Sequence, residues 1–318
     1  MANLSFAPGG NRLVYSNHPE SIKGTTLKGK GVYTIETALT PNYAYIHDFY
    51  HHNETGSPII VGVAVKNTTS STITLRVQRA TTGKGAAGSG KSISSDMHKR
   101  YNNASTAITN VPIAGGATQW ISGAYSTLSA GQLLNGRVSL NAAASGLKSR
   151  IVAIPTSTAV GSIFSLPRAD NDGMLRTTAL FNYDTRYANI NMNTHTEYTF
   201  CGRTSDQWAM NANEFPHSAT DKLAGTNCLP NNLSIGDFLC DGNFSVYYIF
   251  NLQNTGDGKY ITFKPGYDAS GTYAMQTDSA WVTQVISKTD VLKLNTKNIS
   301  TIKFVLTGGN TGNIKITV

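Results

Sequence analysis

Residues 85–92 read GAAGSGKS, which matches the spacing of a phosphate-binding P-loop. That chemistry needs glycines whose backbone N–H groups wrap the phosphates, a lysine such as Lys91 for the outer phosphate oxygens, and a helix that begins at the anion. The following residues, ISSD, favour no helix start, and a short helix is expected only around residues 96–101. The surrounding sequence also lacks alternating strands and helices, so residues 81–95 are interpreted as a glycine- and serine-rich loop that binds no nucleotide.

The densest group of potential metal ligands lies in one segment and comprises His47, Asp48, His51, His52 and Glu54. On a strand, His47 and His51 share a face but lie about 13 Å apart, and His52 points to the other face. No two of the histidines can bind one metal ion unless the strand bends. We therefore predict that they pack and form hydrogen bonds, and we predict no metal and no cofactor.

The cysteines Cys201, Cys228 and Cys240 are odd in number and lack CxxC spacing, so a zinc site is not indicated. At most one internal disulfide can form. Cys228 and Cys240 are the closest pair in sequence and are the predicted partners if a disulfide exists. The chain also lacks a nucleophile elbow, a catalytic Cys/His signature and carboxylates in a recognisable glycosidase setting, which argues against an enzyme.

The elements that must position these residues are strands. Residues 59–65 and 73–77 carry larger aliphatic side chains at every second position and flank a polar turn, which predicts a hairpin over a core. Residues 302–306 and 313–318 predict a second hairpin around a glycine-rich turn. Because no helical period of useful length competes with the strands, the predicted fold is all-β.

The predicted architecture is an antiparallel β-sandwich, jelly-roll or Ig-like, built as two packed sandwich domains with long loops. A stretch of low charge with two prolines, residues 155–171, suggests the boundary, so the domains are predicted at 1–160 and 161–318. Residues 204–234 have few strand signals and are expected to form a long excursion.

The net charge of +8 and the pI near 9.3 could attract an anionic wall polymer, an acidic glycan or nucleic acid. Lysine and arginine are scattered along the sequence, and no basic groove with exposed aromatic residues is evident, so specific nucleic-acid binding is not predicted. No apolar run approaches the length needed to span a membrane, and the first residues, MANLSF, do not read as a secretory leader.

Four segments resemble the β-rich stalk-domain proteins of Gram-positive spore formers, many of which carry a copper-amine-oxidase-like label. They are residues 12–22 (RLVYSNHPESI), residues 50–53 (YHHN), Arg100-Tyr101 at the end of a loop, and residues 304–310 (FVLTGGN). The resemblance covers most of the chain. It implies a secreted or surface-exposed β protein, although such proteins usually carry a leader, which the first residues of this sequence do not resemble.

The copper-amine-oxidase label can be tested on the residues. Residues 182–184 (NYD) match the core of the motif around the cofactor-forming tyrosine of that family, but Ala179 stands where the family has threonine. Copper in that family also needs three histidines, two of them in a His-x-His pair. This chain has no such pair, since His195 and His217 stand alone. Tyr183 is therefore interpreted as a turn or strand residue.

Taken together, these features predict a non-enzymatic structural protein that assembles with copies of itself or docks on a cell, spore or extracellular fibre surface. The segment 2–10 has few charges and carries Leu4 and Phe6 at strand spacing, so it is the predicted assembly segment. The alternative is a lectin-like carbohydrate-binding sandwich, in which Trp120, Trp208 and Trp281 would contact the glycan. Extracellular or surface localisation is expected in either case.

Overall fold

The computed structural model describes residues 4–170, 178–200, 225–226, 245–265, 271–277, 282–286, 291–307 and 314–318. The predicted cysteine pair, Cys228 and Cys240, lies outside these residues, as do Trp208 and Trp281. Strands dominate the described part, which confirms the all-β prediction. No helix among the described residues is long and apolar enough to cross a membrane.

In chain order, the strands are β1 (Ala7–Gly9), β2 (Arg12–Ser16), β3 (Ser21–Lys23), β4 (Val32–Leu39), β5 (Ala44–Glu54), β6 (Ile59–Asn67), β7 (Ile73–Ala86), β8 (Thr109–Ile113), β9 (Thr118–Leu128), β10 (Gln132–Ala142), β11 (Leu147–Pro155), β12 (Thr178–Phe181), β13 (Thr185–Asn191), β14 (Glu197–Phe200), β15 (Gly225–Thr226), β16 (Tyr247–Gln253), β17 (Tyr260–Pro265), β18 (Gly271–Gln276), β19 (Val282–Ile286), β20 (Leu292–Asn295), β21 (Thr301–Leu306) and β22 (Ile314–Thr317). Helix α1 spans Gly90–Asn103, and 3₁₀ turns span Ala87–Ser89 and Val160–Ser165.

Four sheets form two sandwiches. Sheet 1 has the order β4-β11-β6-β9, and sheet 2 has the order β15-β12-β2-β5-β10-β7-β8 with β3 paired to β5. Sheet 3 has the order β1-β13-β16-β21-β18-β19, and sheet 4 has the order β14-β22-β17-β20. Most pairs are antiparallel, as predicted, but β2 and β3 pair with β5 in parallel, and so does β13 with β16.

Neither predicted hairpin is formed. Strand β6 pairs with β11 and β9 in sheet 1, whereas β7 pairs with β10 and β8 in sheet 2. Likewise, β21 lies in sheet 3 and β22 in sheet 4. The alternating pattern predicts the buried face correctly, but it does not identify the neighbouring strand. Val63 of β6 and Leu75 of β7 belong to one core that the two sheets cover from opposite sides.

Two turns of the same design carry the chain between sheets 1 and 2. Asn67, the last residue of β6, donates from Nδ2 to the carbonyls of Ser71 (2.7 Å) and Ile113 (2.9 Å), and its Oδ1 accepts from Thr69 N (2.9 Å). Asn53, fourteen positions earlier, makes the same set of bonds between β5 and β6. Each asparagine is buried, so its amide satisfies carbonyl groups of the turn that would otherwise lack partners.

The two sandwiches exchange strands across the predicted boundary. Strand β1 pairs with β13 in sheet 3, and β12 pairs with β2 in sheet 2. Leu13, Tyr15 and Ile46 of sheet 2 also belong to the core of the second sandwich. Sheet 2 is thus covered on both faces, which explains why β5 and β10 are buried along nearly their whole length.

The N-terminal segment packs inside the protein. Leu4 and Phe6 are each 4 % exposed and belong to the core of the second sandwich, where the Phe6 ring lies 5.3 Å from that of Tyr248. The prediction that these two side chains dock into a neighbouring molecule is therefore corrected. Their apolar surface is already buried by the chain's own strands, so none is left to cover in an assembly.

Candidate functional site

A group of five buried ionisable side chains lies where the two sandwiches meet, and we call it the junction cluster. Its members come from both halves of the chain and are Asp48 on β5, His98 on α1, Arg137 on β10, Asp184 before β13, and Tyr247 on β16. Asp48 and His98 are 0 % exposed, Arg137 1 %, Asp184 5 % and Tyr247 8 %. Charged groups this deep are costly unless they are paired.

Arg137 is the centre of the cluster. Its Nη1 donates to Asp48 Oδ2 (2.8 Å) and to the carbonyl oxygen of Ser245 (3.0 Å), and its Nη2 donates to Asp184 Oδ2 (3.4 Å). The guanidinium carbon lies 4.5 Å from the centre of the Tyr247 ring. One guanidinium therefore links a carboxylate of the first sandwich to a carboxylate at the edge of the second.

The second oxygen of each carboxylate also has a partner. Asp48 Oδ1 accepts from Asn135 Nδ2 (3.4 Å), and Asp184 Oδ1 accepts from Asn11 N (2.8 Å) and Thr185 Oγ1 (3.0 Å). Burial raises the pKa of Asp48, and the attraction to Arg137 opposes that shift. The cluster is held by hydrogen bonds as well as by charge, which is the condition for a tolerable buried ion pair.

Helix α1 completes the cluster from one side. It packs on β7 and β10 of sheet 2 and on β18 and β19 of sheet 3. His98 Nδ1 lies 3.1 Å from Tyr247 Oη. Tyr247 Oη accepts a hydrogen bond from Asn102 Nδ2 (2.8 Å). Ser95 Oγ lies 2.9 Å from Thr307 Oγ1. The helix thus joins the two sandwiches through its polar side chains.

His98 is neutral in this setting. Its Nε2 lies 3.6 Å from Asp48 Oδ2, which is within the range of an ion pair. However, burial lowers the pKa of His98 well below its usual value, and the positive charge of Arg137 lowers it further. Arg137 already compensates Asp48, so a second buried cation would be unfavourable, and we interpret the contact as one with a neutral imidazole.

A second buried group has the geometry of a nucleophile and its base. Ser16 Oγ lies 3.0 Å from His51 Nε2, and His51 Nδ1 lies 2.7 Å from the carbonyl oxygen of Pro19. A hydrogen bond to the carbonyl oxygen requires a proton on Nδ1. The unprotonated Nε2 then accepts a hydrogen bond from the Ser16 hydroxyl. Ser16 is 0 % exposed and His51 1 %, and the Ser16 hydroxyl also contacts Thr34 and Thr178 of neighbouring strands. Buried in this way, the pair holds β2, β4, β5 and β12 together.

The predicted role of the histidines in packing and hydrogen bonding is confirmed for His47 and His51. His47 is buried and its Nε2 lies 2.8 Å from Ser149 Oγ, whereas His51 contacts Ser16 and Pro19. His52 points to the other face of β5, where its Nδ1 lies 3.0 Å from Glu54 Oε1. Within the described ranges, no group of three or more His, Cys, Asp or Glu side chains is arranged to hold a metal ion.

The P-loop-like segment differs from the predicted loop. Strand β7 continues to Ala86, and helix α1 begins at Gly90 rather than near residue 96. Packing overrides the weak local preference, because Met97 and Tyr101 bury one face of the helix. None of Gly85, Gly88 and Gly90 has a positive φ angle, so the backbone does not form the anion-wrapping nest of a P-loop.

Close packing accounts for two of these glycines. A Cβ atom on Gly90 would lie 2.2 Å from Tyr50 Oη, and one on Gly85 would lie 2.9 Å from Ile93 Cδ1. The glycines therefore let the helix approach the sheet. Tyr183 of the residues 182–184 motif is 42 % exposed between β12 and β13, while the adjacent Asp184 enters the junction cluster.

Of the predicted glycan-contacting tryptophans, the structure describes Trp120. Its ring stacks on that of Tyr125, with centroids 5.0 Å apart and planes inclined by 25°. The two residues flank a bulge of β9 opposite β6, where Gly62 pairs with Tyr125 and Ala64 with Trp120. A Cβ atom on Gly62 would lie 2.3 Å from Tyr125 Cβ, so this approach requires glycine. Tyr125 is 40 % exposed.

The junction cluster is not among the sites predicted from the sequence, although the sequence carries a signal for it. Asp48 lies among the aromatic and aliphatic side chains of YIHDFY, and Arg137 lies between the leucine and valine side chains of LNGRVSL. A charge within a strand that is apolar on both faces indicates a buried and paired group. The pattern does not show that these two charges meet, and Asp184 and Tyr247, which lie far away in the sequence, carry no such signal.

Comparisons with known proteins leave the family of this chain open. No protein-family model and no curated protein matches it. Among solved structures, it is similar to the CUB1-EGF-CUB2 domains of rat MASP-1, at 8 % identity and a TM-score of 0.23, over 89 % of this chain and 97 % of that one. It is also similar to the PBSX exported protein XepA, at 13 % identity and a TM-score of 0.19, over 92 % of this chain and 87 % of that one. With TM-scores this low, neither likeness carries a functional argument.

Proposed function

We propose that this protein is a non-enzymatic structural protein that associates with copies of itself, on a cell, spore or fibre surface as the stalk-domain resemblance implies. The support comes from where its chemically capable groups lie. Ser16 with His51, and Asp48 with Arg137, have geometries that could serve catalysis, but each pair is at most 1 % exposed. A substrate has no route to them as they stand, whereas their hydrogen bonds join strands and sheets.

The observation that carries the self-association is the position of two exposed aliphatic side chains. Ile108 is 56 % exposed and directly precedes β8, and Val291 is 53 % exposed and directly precedes β20. Within the described residues, β8 pairs only with β7 and β20 only with β17, so each is an edge strand. Edge strands offer unpaired backbone groups, and an apolar residue beside them adds area to bury.

The test is the oligomeric state of the protein and of two variants. Sedimentation velocity over a concentration series, with negative-stain microscopy of the same samples, should show oligomers or fibres for the unchanged protein. The double variant Ile108→Lys with Val291→Lys should remain folded and assemble only at concentrations about tenfold higher or more, because lysine at an edge blocks strand addition. Val160→Lys is the control, since Val160 is 36 % exposed but lies in a 3₁₀ turn. A protein that stays monomeric at high concentration would end this proposal.

A specific observation supports carbohydrate binding as the second candidate. The stacked pair of Trp120 and Tyr125 presents an aromatic surface at the edge of sheet 1, and sugars pack on such surfaces. Tyr125 is the better residue to change, because Trp120 also packs against the apolar cluster that contains Ile163.

A glycan array identifies the ligand, and calorimetry then compares variants. Tyr125→Ala should weaken binding about fivefold, in line with ~1 kcal/mol for an aromatic contact. Tyr260→Ala is the matched control, because Tyr260 is 41 % exposed and lies on β17 of the other sandwich. Equal losses in both variants, or no bound glycan on the array, would reject this candidate.

A further inference from the structure

Three arginines from two elements lie along one side of β7, which we call the basic face: Arg76, Arg79 and Arg100. Strand β7 has a bulge at Gln78, since Leu140 pairs with Val77 and Ser139 pairs with Arg79. Val77 and Ala80 both pack into the core of the first sandwich. The bulge therefore directs Arg76 and Arg79 to the same side, away from that core.

Helix α1 packs on β7, and its last turn lies beside Arg79. Arg100 donates from Nη2 to the carbonyl oxygen of Thr82 (2.9 Å). The Arg79 guanidinium lies 5.5 Å from the centre of the Tyr101 ring, and Tyr101 is buried. Arg79 and Arg100 are thus held close together although they are about twenty positions apart in sequence. Within the described part of the chain, Arg100 donates one hydrogen bond, to Thr82.

Among the described residues, no carboxylate forms an ion pair with any of the three arginines of the basic face. Nε of Arg79 is buried and has no hydrogen-bond partner in the described part of the chain. The one acid in the sequence of α1 is Asp96. In a chain of net charge +8, this concentrates positive charge at one place.

We infer that the basic face binds a linear phosphate polymer through its phosphates alone. Guanidinium groups match phosphate oxygens in pairs, and arginine is the residue best suited to that contact. Arg76 and Arg79 are three strand positions apart, or roughly 10 Å, so a polymer can reach both where a single phosphate cannot. Stacking of nucleobases needs exposed aromatic side chains. The exposed aromatic residues of the described chain lie on neither β7 nor α1. This inference goes beyond the proposed self-association and does not depend on it.

The experiment measures binding of inorganic polyphosphate by calorimetry at 50, 100 and 200 mM salt. With three contacts, the logarithm of the association constant should fall with the logarithm of salt concentration with a slope of about −2. The double variant Arg76→Gln with Arg100→Gln should bind at least about tenfold more weakly at 50 mM salt and make the slope shallower by about 1.4. Asp96→Asn should bind a few-fold more tightly, because it removes the nearby carboxylate.

The matched control is Lys30→Gln with Lys264→Gln, which lowers the net charge equally but changes exposed lysines elsewhere. It should bind polyphosphate as the unchanged protein does. If the control loses as much affinity as the basic-face variant, binding reflects net charge only and the inference is wrong. It is also wrong if polyphosphate does not bind, or if a single-stranded oligonucleotide of equal charge binds much more tightly, because bases would then contribute.

Discussion

Replacing Arg137 with methionine should lower the free energy of unfolding by about 3–5 kcal/mol. Methionine fills much of the same volume but leaves Asp48 and Asp184 in the interior without the cation that now lies 2.8 Å and 3.4 Å from them. An uncompensated buried charge costs far more than an exposed ion pair contributes. Urea unfolding followed by circular dichroism and by tryptophan fluorescence measures the loss.

Two further variants identify the mechanism. Arg76→Met, on an exposed position of β7, should change the free energy of unfolding by no more than about 0.5 kcal/mol. Adding Asp48→Asn and Asp184→Asn to Arg137→Met should recover much of the loss, since neutral amides need no counter-ion. A triple variant less stable than Arg137→Met alone would contradict the assignment of Arg137 as the charge that compensates both carboxylates.

Acid should destabilise the protein well before most carboxylates titrate, and His47 should account for much of the effect. Burial lowers the pKa of His47 from 6.5 to about 3. Below pH 6.5 the unfolded chain therefore binds a proton at His47, whereas the folded chain does not. The stability that neutral His47 contributes is fully present above pH 6.5 and is lost as the pH falls toward 3. Between pH 7 and 4.5 this amounts to roughly 3 kcal/mol.

Two members of the junction cluster also titrate. His98, whose pKa is lowered well below 6.5, adds to the loss in the same direction. Asp48 acts oppositely, because its pKa is raised above 3.8, so the folded state takes up the proton first and gains stability as the pH falls toward 3.8; below that value the gain is complete. The net slope is therefore set by the difference between the buried imidazoles and this carboxyl group.

Urea unfolding at pH 7 and pH 4.5 tests the role of His47. His47→Gln keeps a side-chain amide near the Ser149 hydroxyl but cannot be protonated, so its loss of stability between the two pH values should be smaller by roughly 3 kcal/mol. His52→Gln is the control on the other face of β5 and should keep the full dependence. An unchanged pH dependence in His47→Gln would show that this histidine is not the proton acceptor in the unfolding reaction.

The sequence is most informative about which side chains are buried. The period of two at Val61, Val63 and Val65 identifies the buried face of β6 correctly, because burial of alternate residues is a local consequence of the strand. The predicted pairing partners are wrong at both hairpins. A strand shows the same alternation of apolar residues whether the next strand in the chain lies in its own sheet or in the facing sheet. The parallel pair of β2 and β5 leaves no local trace at all.

Composition is misleading in two places. The glycines of residues 81–95 suggest a loop, but in the structure they allow a strand and a helix to touch, as at Gly85 and Ile93. The low charge of residues 2–10 suggests an assembly surface, but Phe6 is buried within its own chain. In both cases the local chemistry is predicted correctly and the partner is not, since the partner comes from a distant part of the sequence.

The two asparagine turns at Asn53 and Asn67 have a consequence for how the protein folds. Because each turn sends the chain to the opposite sheet, β5, β6 and β7 cannot pair with one another as hairpins. The backbone hydrogen bonds of β5 with β10, as in the pairing of Phe49 with Gly136, can form only after β10 has been synthesised. Every such closure costs the entropy of a long loop before its hydrogen bonds are gained. Folding should therefore be slow and dependent on synthesis of the downstream strands, and a nascent chain that ends at β7 would expose apolar faces to its neighbours.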